Sequence, residues 1–379
     1  MQAMHAALDH LTDRIRSAIA ARQPLRIRGG GSKDFYGRVF HGELLETGAL
    51  SGITAYEPSE LYVTAFAGTP LAELEAALAE KGQCLPFEPP HFGGQPTVGG
   101  MVASGLSGPA RAAVGSVRDY VLGLSMVNGK AERVQFGGTV MKNVAGYDVS
   151  RMLAGSLGTL GLMTEVSLKV LPFAPAEATL RFALDEATAL RKLNEWGGQP
   201  LPLNASSWVN ESGDADQPVL YLRLRGAAAA VEAAGTRLLK EVPGERVDFA
   251  QTLSDWTAAR DLTLPWFTDG FARGQDLWRL SVAQSAAPLQ VGDTMIDWLG
   301  AQRWVWADAG DAQAAQRLRE AARAAGGHAT LFIAAQRHST PATEVFEPLN
   351  PVFAKIHRQL KAEMDPAGIF NAGRMFADL

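Results

Sequence analysis

The sequence predicts an α+β protein of two domains with a C-terminal arm, and three observations carry that reading. Composition changes along the chain: 24 of the 39 glycines lie in the first 170 residues, whereas all eight tryptophans lie between Trp196 and Trp306. The segment LPFAPAEA at 171–178 holds Pro172 and Pro175, which stop the preceding strand and mark a seam. Beyond the seam, strands and helices follow one another twice in a similar order. That is the pattern of split βαβ units packed into one antiparallel, ferredoxin-like sheet. The expected parts are 1–172, 173–340, and a terminal helix and arm over 341–379 that packs back on the first domain.

Each element has a local reason. MQAMHAALDHLTDRIRSAIA reads as an amphipathic helix, and PLRIRGGGS as a strand running into a glycine loop. LYVTAFAG is a second strand, and TPLAELEAALAEKGQ a helix with Thr69 as N-cap and Pro70 at its first position. YVLGLSMVNGKAERVQF is a hairpin whose turn comes from Asn128-Gly129. In the second domain ATLRFAL, the helix DEATALRKLNEW, NASSWVN, VLYLRLRG and the helix AAAAVEAAGTRLLKEV form one set. LWRLSVA, a helix around TMIDWL, QRWVWAD, the helix AQAAQRLREAARAA and HATLFIA form the other. The last segment opens with Asn350 as N-cap and Pro351 behind it. Val352, Phe353, Ile356 and Leu360 then make an apolar stripe, and the chain ends in the turn-rich DPAGIFNAGR.

Composition excludes several classes. A net charge of -5 and a pI near 5.9 do not suit a nucleic-acid partner. No run reaches the roughly 18 apolar residues of a membrane span, and the N-terminus lacks the form of a signal peptide. The expected location is cytoplasmic, with any attachment to the inner membrane made through partner subunits. The single cysteine, Cys84, excludes internal disulfides and a cysteine-ligated iron–sulfur cluster built by this chain alone. It reads as a structural thiol.

Four glycine-rich segments point to the chemistry. RGGGSKDFYG supplies Arg28, Gly29, Gly30, Gly31, Ser32 and Lys33. QPTVGGMVASGLSGPAR supplies Pro96, Thr97, Val98, Gly99 and Gly100, followed by Ser104, Gly105 and Ser107. GSVRDYVLG adds Arg118 and Asp119. KNVAGYDVSRMLAGSLGTLG adds Gly146, Tyr147 and Asp148, then Gly155, Gly158, Thr159, Gly161 and Leu162. Successive N–H groups in such loops form anion-binding concavities, and a helix opening at Pro96-Thr97-Val98 would add its positive end. One such loop alone is as readily an ordinary turn; four in one domain indicate a large phosphate-bearing ligand. Neither GxGxxG between strand and helix nor GxxxxGK[ST] occurs, so nicotinamide and P-loop sites are unsupported.

In order and spacing these segments resemble the FAD-binding domain of the vanillyl-alcohol oxidase-type (PCMH-type) flavoproteins. The resemblance runs over about 24–172 and includes the terminal GIFNAGR, with Asn371 and Arg374. It implies a two-lobed FAD-binding domain in which RGGGS and PTVGG hold the diphosphate and GYD…GSLGTLG lines the flavin and adenine sides. Gly155, Gly158 and Gly161 would then let main chain lie against the dinucleotide. The remainder, including GGHATLF at 326–332, is most similar to the FAD-binding E subunits of bacterial glycolate oxidases. That implies FAD, a small 2-hydroxy acid substrate, and two partners, a homologous flavoprotein subunit and an iron–sulfur subunit. Relatives with covalent FAD carry histidine in the first loop, where this chain has Gly31-Ser32, so noncovalent FAD is expected. The closing motif has Ala372 where relatives carry proline.

Oxidation of a 2-hydroxy acid by flavin needs a base for the hydroxyl proton and a cation for the carboxylate. The catalytic candidates are Arg279, His328, Arg337 and Arg374, and each is also readable as an ordinary surface or strand-end residue. Arg279 alternates with Trp278 and Leu280 and so faces away from them. Lys142 and Arg118 are candidates to balance charge on reduced flavin or its phosphates. The GDGNxH-type segment of related dehydrogenases is missing and no histidine pair has zinc-ligand spacing, so no metal is expected. Trp304 and Trp306 sit at strand spacing and read as core. Three functions fit: a flavoprotein subunit of a multi-subunit 2-hydroxy-acid dehydrogenase, foremost a glycolate oxidase; a self-sufficient FAD oxidase or dehydrogenase; or a structural FAD-containing subunit whose homologous partner does the chemistry.

Overall fold

A computed structural model describes residues 2–139, 148–210, 218–336 and 343–379. The chain divides into two compact units. The first comprises Met1–Leu106, Ser116–Pro172 and Pro348–Leu379; the second comprises Ser107–Gly115 and Phe173–Glu347.

Among its described residues the first unit has nine strands: β1 (Leu25–Arg28), β2 (Glu43–Glu46), β3 (Ile53–Glu57), β4 (Tyr62–Phe66), β5 (Gln83–Cys84), β6 (Val121–Val127), β7 (Arg133–Gly137), β8 (Leu162–Lys169) and β9 (Leu171–Pro172). β3-β4-β8-β6-β7 form an antiparallel sheet. Its apolar face packs on the helices Leu71–Ala79 and Val98–Ser104 through Val63, Leu74, Val102 and Val166. β1 and β2 pair in parallel, and β5 pairs with β9, which leaves Cys84 half-buried. The N-terminal helix Gln2–Ala21 buries Leu11, Ile15 and Ala18, and shares a core with Leu25, Leu45 and Phe370. Phe370 comes from the C-terminal arm, which lies beside β1: Leu25 N donates to Ile369 O and Asn371 N to Leu25 O.

Two local expectations shift. The helix expected to start at Thr69-Pro70 begins at Leu71, because the Thr69 hydroxyl accepts from Gly52 N at 2.9 Å instead of capping it. The hairpin forms, but its connection is longer than two residues. Asn128 Oδ1 accepts from the amides of Lys130 and Glu132, while Gly129 lets the chain pass against Asp365.

Among its described residues the second unit has eight strands: β10 (Ala176–Ala183), β11 (Leu203–Asn210), β12 (Pro218–Gly226), β13 (Glu245–Arg246), β14 (Asp276–Ser281), β15 (Thr294–Asp297), β16 (Gln302–Ala307) and β17 (His328–Ile333). They form one sheet in the order β13-β10-β12-β11-β15-β16-β14-β17. Read from each edge inward, both halves run fourth, first, third, second. They meet where Ser207 pairs with Asp297 and Trp208 with Ile296. Leu180, Trp208, Leu222 and Ile296 share one face with the helices Glu186–Gly197 and Ala228–Glu241. Trp278, Leu280 and Val305 do the same with Ala312–Ala324.

One expected helix is absent. Residues around TMIDWL form strand β15, hydrogen-bonded on both sides, and not a crossover helix. β-Branched Thr294 and Ile296 suit a central strand. Trp298 and Leu299 then take positive φ, and Ser206 Oγ accepts the Leu299 amide at 2.9 Å.

Candidate functional site

The first unit contains an open cleft. One wall is the loop that leaves β1, residues 28–34, and opposite lie Thr97, Gly99, Gly100 and Ser104 of the helix Val98–Ser104. Leu157, Gly158, Gly161 and Leu162 add the glycine segment before β8, and Asn371 and Arg374 close the cleft from the arm.

The glycines are there chiefly for contacts within the protein. A Cβ on Gly30 would sit 1.4 Å from Gln95 O, so only glycine lets the first loop reach the segment before the helix. Gly158 has φ +72°, and a Cβ there would lie 2.7 Å from Asn371 Nδ2. That amide holds the arm: Nδ2 donates to Leu157 O at 2.6 Å and Oδ1 accepts from Ile27 N at 2.8 Å. Gly155 N donates to Val102 O and Leu157 N to Ala103 O, so this segment runs along the helix. The bare backbone therefore makes room first for a helix and an arm, and through them shapes the cleft.

The helix end differs from expectation. Val98 N donates to Thr69 O, Gly99 N to Ala67 O and Gly100 N to Thr97 Oγ1, so its first donors are used within the protein. Positive charge comes from side chains. Arg28, Lys33 and Arg374 line the cleft with one carboxylate, Asp34, which pairs with Arg28 at 2.8 Å. Burial pushes Arg374 down to about 10, with Asp34 opposing and Arg26 reinforcing the shift. Arg374 Nη2 reaches Lys33 O at 3.3 Å, while its buried Nε has no hydrogen-bond acceptor among the described residues. An orphaned guanidinium N–H in a cationic cleft calls for an anion. Ile27, Ala67, Ala103 and Met163 give the same cleft an apolar part suited to a flat ring. The residues present thus fit a dinucleotide that carries a diphosphate and a ring system.

The remaining expected binders lie elsewhere. Pro96 and Val98 are buried beneath the cleft, and Gly105 caps the helix with φ +67°. Ser107 belongs to the second unit. Arg118 is exposed, and Asp119 caps Ser116 by accepting from its amide and hydroxyl. Asp148 caps the short helix Val149–Leu153 and pairs with Arg151. Thr159 bonds Ser156 O. Lys142, Gly146, Tyr147 and Arg337 lie outside the described residues.

Sequence reasoning stopped one residue short of Asp34, and it did not find Thr47 or Ala67, which enter from β2 and the end of β4 with no local signal. It also missed Lys361. That buried amine donates to Thr159 O, Phe370 O and Asp365 Oδ2 at 2.6–2.8 Å, tying the arm to the glycine segment.

Of the catalytic candidates, Arg374 stands in this cleft, while Arg279 and His328 share one sheet face in the second unit. Arg279 pairs with Thr330 and Trp304, its guanidinium 4.9 Å from the Phe332 ring; His328 pairs with Ser281 one step along. Desolvation, then the charge of Arg279, lowers the His328 pKa. Among the described residues no group of three metal-ligating side chains comes together.

Comparison with known proteins gives this geometry its context. A "FAD binding domain" family model matches residues 6–137. The glycolate oxidase subunit GlcE of Escherichia coli (strain K12) is 42% identical over 97% of both chains. The chain belongs to the GlcE family. The glycolate oxidase subunit GlcD of Bacillus subtilis (strain 168) is 32% identical over 35% of this chain and 28% of its own. A D-lactate dehydrogenase of Archaeoglobus fulgidus is 33% identical over 39% of this chain and 33% of its own. A solved structure of alkyldihydroxyacetonephosphate synthase matches with TM-score 0.66 at 15% identity, covering 96% of this chain and 74% of that one, and shows the shared fold. This GlcE-family chain is accordingly a FAD-binding protein and a 2-hydroxy-acid dehydrogenase subunit. Among its described residues no helix is long and apolar enough to cross a membrane.

Proposed function

We propose that the chain is the subunit of a glycolate-oxidising complex that holds FAD noncovalently, and that its electrons leave through a homologous flavoprotein subunit and an iron–sulfur subunit. The observation that carries this reading is the cationic cleft with the orphaned Arg374 Nε, in a chain that matches a glycolate oxidase subunit from end to end. Arg28, Lys33 and Arg374 would hold the diphosphate, the 28–33 loop and the helix Val98–Ser104 would bracket it, and Asn371 would keep Gly158 and the arm in register. The bound cofactor supplies a two-electron acceptor for the hydride lost from the carbinol carbon as glycolate becomes glyoxylate. Neither histidine nor cysteine is among the described residues lining the cleft, which supports the noncovalent mode. A single cysteine leaves this chain without ligands for a cluster of its own, which supports partners for onward transfer. Attachment to the inner membrane, if the complex has it, then falls to those partners.

One observation favours a second reading, in which the chain turns over substrate by itself. Arg279 and His328 lie on one face, a cation for a carboxylate beside an imidazole whose pKa desolvation lowers and which can take a proton. Anaerobic visible spectra before and after glycolate separate the readings. Bleaching of the flavin band in the isolated chain supports the second reading. Bleaching only with partner subunits present supports the first, and a flavin that never bleaches supports a structural FAD. A chain that takes up no FAD removes the whole proposal.

A further inference from the structure

The second unit holds a larger cavity, of about 390 Å³, that the flavin chemistry leaves unused. Its floor is the sheet face turned away from the long helices, with Thr179, Ser207, Tyr221 and Met295. Its roof is the helix pair Phe249–Asp261 and Pro265–Ala272, which contributes Asp255, Trp256, Ala259, Leu264 and Trp266. The roof is pinned rather than loose. Trp256 Nε1 donates to Thr179 Oγ1 at 2.9 Å, and Trp266 Nε1 to Asp293 at 3.1 Å.

The charge around this space decides what fits. No lysine, arginine or histidine is among the described wall residues, and Asp255 is the one carboxylate. On the same sheet face, opposite Ser207 and outside the walls, Asp297 is buried, accepting from Trp304 Nε1 at 2.8 Å and from Ser207. Arg223 stacks on the Trp256 ring, 4.8 Å from its centroid, but is not a wall residue. A carboxylate brought inside would meet the Asp255 carboxylate and no wall cation, and an uncompensated buried anion is strongly disfavoured. Indoles, a phenol, methionine and leucine instead offer ring-stacking surface, with hydroxyls and Asn210 at the edge for orientation.

We propose that this cavity is a binding site for an uncharged, planar, ring-bearing small molecule, and that it excludes the hydroxy-acid anion. The proposal does not depend on FAD occupying the cleft of the first unit.

The test uses the full chain and two probes that share one ring system, neutral 2-naphthol and anionic 2-naphthoate, at neutral pH with binding read by calorimetry. Saturable binding of one 2-naphthol per chain, at least about tenfold tighter than 2-naphthoate, is expected. Ala259→Phe or Leu264→Trp, each filling the cavity from the roof, should weaken 2-naphthol by about tenfold or more while the flavin band is unchanged. Absence of 2-naphthol binding, equal binding of the two probes, or binding undiminished in a folded variant would each overturn the proposal. The probe comparison needs no variant, so it stands if both substitutions prevent folding. Loss of the flavin band without loss of probe binding would count against the first unit's assignment alone.

Discussion

The two units solve the problem of making a pocket in opposite ways. In the first, backbone is brought against backbone: Gly30 meets the segment at Gln95, and Gly158 meets Asn371 of a terminal arm more than 200 residues away in sequence. In the second, long strands stack side chains on two faces, and the cavity lies between regular elements pinned by indole N–H groups. The first cleft is lined by cations, the second cavity by aromatic rings and a carboxylate. A backbone-built site should be intolerant of small changes and depend on remote chain. A side-chain-built one should answer to the volume and charge of individual residues.

The sharpest test of that contrast is Gly158→Val. Its positive φ and the contact with Asn371 leave no room for a branched residue, so the purified chain should lose its FAD altogether. Circular dichroism should show the second unit still folded; flavin retained at full stoichiometry would break the contrast. Lys361→Met should come next. It strips the cation from buried Asp365 and the hydrogen bonds to Thr159 O and Phe370 O, so the first unit should lose about 3–5 kcal/mol in urea unfolding, with weaker FAD retention.

In the second unit the corresponding lever is a charge. Burial pushes the Asp297 carboxyl up from 3.8 to about 6, against hydrogen bonds from Trp304, Ser207 and Gln302. The folded chain therefore holds this proton more tightly than the unfolded chain. Its contribution is complete below pH 3.8 and is lost as pH rises through about 6. Stability of this unit should fall by on the order of 3 kcal/mol across that window. Asp297→Asn, whose carbonyl can still accept from Trp304, should flatten the slope; an unchanged slope in urea titrations at several pH values would assign it to other groups. The smallest effect expected is that of Thr97→Val, which removes the cap on Gly100 N for about 1 kcal/mol and leaves the cleft's cations in place. A loss of FAD as complete as in Gly158→Val would show that the helix end matters more than the side chains do.

Much of this was legible before any coordinates. The seam at Pro172, the repeated strand and helix order apart from the stretch around TMIDWL, and the glycine loops follow from local chemistry, because proline, glycine and the period of apolar residues act on neighbours in sequence. Asn350 and Pro351 open the last helix as their types require, with the Asn350 side chain accepting from Phe353 N. Even Arg279 facing away from Trp278 and Leu280 followed from strand alternation alone.

Other features rested on partners distant in sequence. The stretch around TMIDWL is a strand because β11 and β16 flank it on both sides. Thr69 lost its role as a cap to Gly52, and the donors of the helix at Val98 were taken by Ala67, Thr69 and Thr97. Thr47, Ala67 and Lys361 join the site only because strands pair and the arm returns. The sequence by itself determined where the chain could bend, which faces could bury and which loops could approach an anion, since those depend on each residue's own sterics and charge. Which donors stay available, and which cations converge on the cleft, was decided by the tertiary structure, because a hydrogen bond spent on a residue far along the chain leaves no mark on the local sequence.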